Sequence, residues 1–363
     1  GEPAGSIYTD ANVYWLAFEE GLRIGAVAGP DPEPGNVQSI FRETVHFEKE
    51  KFALISGTKD ADSDYWMWNF MMSGNAAFRT KDFTMNVPPG LAAPSGPAAL
   101  DLTLRSSSTL ELPDEHHVRV TLNGQAIGDG WWSGLTITNL VCSFDQGLLH
   151  EGSNLVQVTS VKEPAVANST FYLDSFDLSY DRLFAADGDR LAFTSPADGS
   201  VTVTGFSGPG IAVLNVDNPL MPVETTPVLV TADSGSYRVC FAASAGSAYM
   251  VFADADAPLS AEAHGPSSLK SSDNIADYVV IAPPELESAA SSLAGYRQAR
   301  GLRTMVVSLE DVYDAFNHGV ASPYAIKAFV RYAWANWHTP PRYIVLAGDG
   351  TYDYRNCTGY GEN

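Results

Sequence analysis

Short apolar segments that alternate with polar positions dominate the first 183 residues. Residues 118–122 alternate in this way, and Asn123-Gly124 follows directly, before a second short run. A period of two predicts strands with one buried face. Asn-Gly between two such runs predicts a hairpin, because both residues accept the positive φ of a type I′ turn. We therefore expect residues 1–183 to form a β-sandwich.

A second β-rich block follows over residues 186–272. Turn sequences such as Asp198-Gly199 separate its short apolar runs. Strands are predicted over residues 190–194, 200–205, 211–216, 227–232, 237–242 and 248–253. This spacing predicts a small sandwich of immunoglobulin-like size, and the Ser-, Ala- and Gly-rich residues 261–274 are typical of a linker.

From residue 277 the pattern changes to alternating strands and helices. The continuous apolar runs 278–282, 304–307 and 343–347 predict strands covered on both faces. Helical spacing between them predicts parallel strands joined by helical crossovers. Ligands of such sheets bind beyond the carboxyl ends of the strands. The turn over residues 348–353 is therefore a candidate part of a binding site.

Helix boundaries in this region have specific signals. Pro283-Pro284 precedes a helix whose predicted buried face is Leu286, Ala289, Ala290, Leu293 and Tyr296. Gly301 is expected to end that helix. Ser308 and Asp311 resemble a capping box at the start of the next helix. Ser322-Pro323 predicts the start of a third helix, with residues 326–337 supplying its apolar face.

The net charge of −22 is concentrated in the β-rich part of the chain. Residues 1–276 contain 14 Lys and Arg against 34 Asp and Glu, whereas residues 277–363 contain 7 against 9. Such a surface repels phosphate backbones, which argues against nucleic acid as a partner. The acidity is consistent either with solubility outside the cell or with calcium binding by carboxylate-rich loops.

The positions of the cysteines and the hydropathy of the chain narrow the possible class of protein further. Cys142 and Cys240 lie in predicted strands, where a free cysteine behaves as a small apolar residue, and Cys357 lies in a polar loop. Neither a disulfide framework nor a zinc-ligand spacing is present. No apolar run reaches the ~20 residues that a transmembrane helix needs. The chain begins at Gly1, so we expect that a leader was removed or that the sequence was trimmed.

Two family resemblances follow from these segments. In residues 1–183, Leu122-Asn123-Gly124 and the segments 151–158 and 171–176 resemble a galactose-binding-like jelly roll. In residues 277–363, the order and spacing of several segments resemble the start of a gingipain-like catalytic domain. Those segments are 278–282, 296–302, 310–313, 322–327, Trp337, Pro340-Pro341 and 343–353.

The gingipain resemblance implies a caspase-like fold and cysteine endopeptidase activity. That family's dyad is a His in a His-Gly pair and a Cys that follows a small residue, both at the ends of later strands. Asn363 comes too soon after the Gly-Asp turn to include them, so we expect no catalytic residue in this chain. The resemblance assigns residues to the cleft edge: Gly348, Asp349, Gly350, Tyr352 and Asp353.

Several residues are candidates for other chemistry. His318-Gly319 with Cys357 could suggest a dyad, but the predicted inter-helix turn and polar loop favour a surface His and an incidental Cys.

Asp349 and Asp353 are candidate calcium ligands, or Asp349 caps turn amides. Asp60, Asp62 and Asp64 alternate as in a calcium loop, but Tyr65 and Met71 replace the Gly and Glu of an EF-hand, which favours a solvated acidic turn. The aromatic clusters 65–68 and Trp131-Trp132 would serve sugar stacking or, more commonly, core packing.

These observations lead to one expected function and two alternatives. We expect part of a secreted or cell-surface gingipain-like cysteine endopeptidase, with two accessory β domains and half of the catalytic sheet. Its partners would be the remaining C-terminal part of the peptidase domain, as the same or a processed chain, and a peptide substrate. No cofactor is required, although calcium is a candidate ligand. The alternatives are a glycan- or protein-binding adhesion module with a degenerate peptidase-like domain, and a cell-surface transpeptidase.

Overall fold

The protein divides into two compact units. A computed structural model describes residues 7–15, 23–33, 37–54, 63–253, 263, 265 and 267–359. The β unit is Gly21–Ala257, and the α/β unit combines Gly1–Glu20 with Pro258–Asn363. The finer division at residues 183–186 and 272–277 stays a prediction.

Twenty strands form the described part of the β unit. They are β1 (Gly25–Ala28), β2 (Val37–Gln38), β3 (Ile40–Glu48), β4 (Phe52–Ala53), β5 (Trp66–Met67), β6 (Asn69–Met72), β7 (Thr80–Val87), β8 (Pro97–Ser106), β9 (His116–Leu122), β10 (Gln125–Trp132), β11 (Ile137–Asp145), β12 (Gly152–Ser160), β13 (Thr170–Leu183), β14 (Arg190–Thr194), β15 (Gly199–Phe206), β16 (Ala212–Asn215), β17 (Val223–Thr226), β18 (Val228–Asp233), β19 (Ser236–Ala243) and β20 (Ala248–Phe252).

Two antiparallel sheets enclose the larger core of this unit. Their strand orders are β10-β9-β12-β7 and β11-β8-β13-β3. Alternate residues of both sheets, such as Val120, Leu102 and Phe176, are fully buried in one cluster. The expected hairpin is confirmed: β9 and β10 pair antiparallel, with φ of 50° at Asn123 and 84° at Gly124. The strands predicted for this region are thus confirmed in type, while the jelly-roll assignment stays a prediction.

The second β block also forms two sheets around its own core. The strand orders are β1-β17-β16-β20-β14 and β18-β19-β15-β2. The strand predicted over 227–232 begins at Val228. Two short strands from the first 40 residues join these sheets, β1 parallel to β17 and β2 parallel to β15, which the sequence did not indicate. Cys142 and Cys240 are buried and free, as their strand positions predicted.

The α/β unit contains a three-stranded sheet of order β22-β21-β23. Its strands are β21 (Tyr278–Ala282), β22 (Thr304–Ser308) and β23 (Tyr343–Leu346), and its helices are α1 (Glu287–Gln298), α2 (Leu309–Asn317) and α3 (Pro323–Asn336). Both strand pairs are parallel, as the sequence predicted. All five residues of β21 are buried, because Val279 and Ile281 pack with α2 and α3 while Tyr278, Val280 and Ala282 face α1.

The start of α1 is confirmed, but its predicted buried face is partly wrong. A 3-10 turn over Pro284–Leu286 leads into the helix, and Gly301 follows its end with φ of 88°. Ala290 and Ala294 are the fully buried residues of α1, whereas Ala289 is exposed. Tyr296 is also exposed, and the Arg300 guanidinium lies 3.7 Å from its ring centre. The aromatic ring therefore takes part in a cation–π contact on the surface and not in the core.

The predicted capping box at α2 is wrong. Ser308 does occupy the N-cap position, but its side chain makes no capping hydrogen bond. Ser308 is also the last residue of β22, and Asp311 has one methylene fewer than the Glu that reaches back in a capping box. By contrast, α3 begins at Pro323 as predicted, and the Ser322 side chain accepts a hydrogen bond from the Tyr324 N–H there.

Membrane insertion through a helix finds no support in the described residues. None of their helices combines the length and the apolar character that crossing a bilayer requires.

A buried carboxylate in the larger β core provides a stability prediction. The Glu115 carboxylate is 2% exposed and accepts hydrogen bonds from the Thr109 hydroxyl (2.7 Å), the Gly134 N–H (2.8 Å) and the Leu110 N–H. Burial by itself would raise the pKa of Glu115, but these donors lower it to about 2. The stabilisation is therefore complete above the unfolded pKa of about 4.3 and is lost as pH falls through 2.

We predict that Glu115→Gln lowers the free energy of unfolding at pH 7 by about 2 kcal/mol, because a charged acceptor is replaced by a neutral one. The difference between variant and wild type should shrink between pH 4.5 and pH 2. Urea unfolding at pH 7 and pH 3 measures both values. An equal loss at the two pH values would contradict an ionised Glu115.

Candidate functional site at the carboxyl edge of the parallel sheet

Two loops and the start of α2 meet at the carboxyl edge of the parallel sheet. Ala282 pairs with Ser308 at this end, and the Ala347 N–H donates to the Ile281 carbonyl at 2.9 Å just beyond β23. Loops follow at Pro283 and Gly348, whereas α2 begins at Leu309 directly after β22. We call residues 348–359 the edge loop. Parallel pairing therefore brings it to the edge where α/β sheets bind their ligands, as predicted.

Glycine is required at the start of the edge loop. Gly348 has φ of 132°, a conformation that side chains other than glycine rarely adopt. Asp349 and Gly350 follow as exposed residues, and Tyr352 is 52% exposed. The predicted cleft-edge residues 348–350 and Tyr352 thus present backbone and side-chain groups to solvent.

Asp353 organises the edge loop from within. It is 6% exposed, and its carboxylate accepts the Cys357 N–H at 2.6 Å, the Thr358 N–H at 2.9 Å and the Thr358 hydroxyl at 2.6 Å. Burial acts to raise the pKa of Asp353, but these donors prevail and lower it. The loop is therefore closed around an ionised carboxylate.

The environment of Cys357 is unlike that of an activated thiol. Burial raises its pKa, Arg355 opposes that shift, and Asp353 adds to it. A thiol with a raised pKa is a poor nucleophile, because the thiolate is the reactive form. His318 is exposed and ends α2 with φ of 55°. These observations agree with the prediction that neither residue is catalytic, which stays a prediction.

An N-terminal segment contacts the edge loop within the same unit. We call residues 7–15 the strap. The Tyr8 ring lies 4.9 Å from that of Tyr354, and Asp10 pairs with the Arg355 guanidinium at 2.8 Å. The Trp15 indole N–H donates to the His318 carbonyl at 2.8 Å. Sequence reasoning missed the strap, although three aromatic residues within nine positions were a usable signal.

Some of the residues predicted to bind calcium are described by the structure and others are not. Asp60 and Asp62 lie outside the described residues. One carboxylate oxygen each of Asp64, Glu48 and Glu50 lies within 4.8 Å of the others, so these three could hold a metal ion. At the edge loop, Asp349 is exposed whereas Asp353 is engaged by loop donors. A calcium role for any of these residues stays a prediction.

The aromatic clusters serve mainly as core. Residues 65–68 are between 0% and 7% exposed, and Trp132 is buried with its indole N–H donating to the Ser106 hydroxyl at 2.7 Å. Trp131 differs, with half of its side chain exposed.

Comparison with known proteins finds a family match within the α/β unit. Residues 271–363 match the family model of peptidase family C25. We call these residues the C25 segment. The resemblance stated from the sequence is thereby confirmed for the C25 segment, which is about a quarter of the chain.

Solved structures extend the likeness to most of the chain. The crystal structure of dimeric latent PorU from Porphyromonas gingivalis has a TM-score of 0.63 at 16% identity and covers 93% of this chain. This chain spans only 32% of that PorU chain, and at this identity the likeness concerns the fold alone. Together with the C25 segment, it shows a mostly β, multidomain, PorU-like fold.

Other similar structures are too distant to support an argument. A GH26-CBM35 mannanase of Podospora anserina has a TM-score of 0.25 at 12% identity, covering 80% of this chain and 47% of its own. The VP2 subviral particle of infectious bursal disease virus has a TM-score of 0.23 at 12% identity, covering 58% and 39%. Among curated protein sequences, no significant match is found.

We predict that Asp353→Ala loosens the edge loop without unfolding the unit. Losing a charged acceptor should accelerate hydrogen exchange at the Cys357 and Thr358 amides by about tenfold, since a bond to a charged group contributes about 1.5 kcal/mol. Asp349→Ala is the matched control, because that carboxylate is exposed. Exchange is measured by mass spectrometry on peptides of the edge loop. Equal rates in wild type and Asp353→Ala would contradict the role given to Asp353.

A second prediction concerns Asp174, beside the Glu48, Glu50 and Asp64 cluster. Its Oδ1 atom is buried without a hydrogen-bond partner among the described residues. Burial, followed by the charges of Glu48 and Asp64, raises the pKa of Asp174 to about 7. The folded state thus holds a proton that the unfolded chain releases near pH 4, so stability present below pH 4 is lost as pH rises through 7.

Asp174→Asn should therefore raise the melting temperature at pH 8 in EDTA, because the free energy of unfolding increases by about 1–2 kcal/mol after solvent screening is allowed for. At pH 4 the variant should match wild type. Scanning calorimetry at both pH values provides the measurement, with Asp114→Asn, at an exposed carboxylate, as the control. A difference that does not change with pH would rule out the raised pKa.

Proposed function

We propose that this chain is the N-terminal part of a secreted, gingipain-like cysteine endopeptidase. It supplies the opening strands of a caspase-like catalytic sheet and two accessory β domains. The family match of residues 271–363 is the observation that supports this proposal most directly. The parallel sheet with its edge loop agrees with the position that such a cleft would take.

The exposed side of β23 supports continuation of the sheet. Tyr343 is 50% and Leu346 is 60% exposed on this outer strand, whereas every residue of β21 is buried. Large apolar side chains on an unprotected edge strand favour pairing with another strand. We propose that the strand after the edge loop, supplied by the remaining part of the peptidase domain, covers this edge.

The proposed chemistry divides between the two parts of the domain. A Cys thiolate from the later segment attacks the peptide carbonyl, and a His transfers the proton to the leaving amine. Backbone N–H groups stabilise the oxyanion. The residues of this chain form one wall of the cleft, with the exposed Asp349 and Tyr352 facing the substrate and Asp353 fixing the loop from behind.

We predict that residues 1–363 alone do not hydrolyse peptides, because they supply no activated thiol. The gene product extended past Asn363 should cleave a fluorogenic peptide library, and iodoacetamide should abolish that cleavage. Cys357→Ser in the extended protein is the matched control and should retain activity, since Cys357 has a raised pKa.

Either of two results would contradict this proposal. One is iodoacetamide-sensitive turnover by residues 1–363 alone. The other is an extended protein that is folded, as judged by circular dichroism, but inert toward every peptide tested. Mass spectrometry of the products distinguishes free carboxylates, expected from hydrolysis, from amide-linked products.

A further inference from the structure

One face of a β-unit sheet carries a single exposed aromatic residue. In the sheet β10-β9-β12-β7, Val118 and Val120 point into the core, so His117 and Arg119 lie on the outer face. Trp131 pairs with His117 and Asp129 pairs with Arg119 across β9 and β10. Four chemically distinct side chains therefore share one patch, which we call the Trp131 platform.

The indole of Trp131 is held in place from below. Its ring lies 4.2 Å from that of His117 at an interplanar angle of 26°, and His117 is only 4% exposed. The two His117 ring nitrogens contact Glu163 Oε1 at 2.6 Å and Asp129 Oδ1 at 2.9 Å. The stack is therefore fixed, yet half of the Trp131 side chain remains exposed.

This arrangement differs from that of a tryptophan that serves packing. The adjacent Trp132 is 8% exposed and satisfies its indole N–H with Ser106 inside the core. Trp131 instead stacks one face on His117 and directs its indole N–H toward Glu163 Oε1 at 3.5 Å. Half of its side chain remains in water, where an apolar ring gains nothing from the hydrophobic effect. A rigid, exposed aromatic face costs little conformational entropy when a ligand binds to it.

Hydrogen-bonding groups surround this aromatic face. The side chains of Arg119, Asp129 and Glu163 are 48%, 37% and 33% exposed, and Arg119 Nε donates to Asp129 at 3.2 Å. Donors and acceptors thus lie beside an aromatic ring. Proteins bind sugars with this combination, because the C–H groups of the sugar stack on the ring and its hydroxyls form hydrogen bonds at the rim.

Most of the rest of the outer face is polar, apart from the partly exposed Leu155. Thr121 donates to Gln157 at 3.3 Å, Gln157 donates to Asp82 at 2.9 Å, and Thr80 bonds Thr159 at 3.0 Å. This face extends over four strands, about 14 Å at the usual strand spacing. It offers hydroxyl and amide groups to a ligand longer than one ring.

We propose that the Trp131 platform binds a neutral polysaccharide by stacking a pyranose ring on Trp131. A polyanion is disfavoured by the net charge of −22. An ammonium ligand would compete for the same indole and carboxylates, and the chitosan comparison in the test below distinguishes it from a neutral sugar. This binding is independent of the proposed peptidase activity and belongs to the β unit.

Native gel electrophoresis of residues 1–363 in gels containing dextran, yeast mannan, galactomannan or laminarin tests the proposal. At least one of these polymers should retard the wild-type chain, and Trp131→Ala should weaken that retardation by about tenfold or more. Trp334→Ala is the matched control, because Trp334 is 65% exposed on α3 of the other unit. Its retardation should equal that of wild type.

Trp131→Tyr should restore part of the retardation, since an aromatic face is kept, and melting curves establish that each variant is folded. Quenching of tryptophan fluorescence by the same polymer should be lost in Trp131→Ala and kept in Trp334→Ala. The proposal is overturned if none of the four polymers retards the chain or if a folded Trp131→Ala behaves as wild type. Retardation by chitosan alone would also overturn it, because the site would then recognise cations.

Discussion

Burial of β21 on both faces is the constraint on which the α/β unit depends. Its five apolar residues alternate between two cores, and a fully buried Val or Ile contributes about 1.5–3 kcal/mol. Such a strand needs cover on both faces, and the helical crossovers between parallel strands supply it. Parallel pairing with β22 and β23 in turn brings the segments that follow all three strands to one edge. The position of the edge loop thus depends on the pairing that buries Tyr278–Ala282.

At that edge, the geometry suits a cleft wall better than a complete catalytic centre. Asp353 is buried and its carboxylate holds the loop together, whereas Asp349 and Tyr352 face outward. Cys357 lies in the same loop with a raised pKa. The proposal that the C25 segment supplies scaffold and wall, while the reactive groups come from the later part of the domain, accounts for these features.

Sequence reasoning predicted the elements with strong local signals. The continuous apolar run of β21, the Asn123-Gly124 turn and the start of α3 at Ser322-Pro323 depend on neighbouring residues alone, and all three were right. Tyr296 was wrongly assigned to a core, because periodicity cannot register the Arg300 cation that contacts the ring at the surface. The Ser308 capping box was also wrong, since the strand before it fixes its backbone.

Long-range contacts were beyond reach for a related reason. The pairing of β1 with β17 and the contact of the strap with the edge loop join residues roughly 200 or more positions apart, and no local pattern encodes them. Trp131 and Trp132 are adjacent and chemically identical, yet only the pairing of β9 with β10 determines which one is buried. The different roles of these two residues are therefore visible only in the three-dimensional structure.

The most direct test of the account is a crystal structure of the gene product extended beyond Asn363. The account predicts that a new strand pairs in parallel with the open edge of β23. It also predicts that a Cys and a His come within hydrogen-bond distance of each other above the edge loop. An unpaired or antiparallel β23 edge, or a reactive Cys remote from residues 348–353, would contradict it.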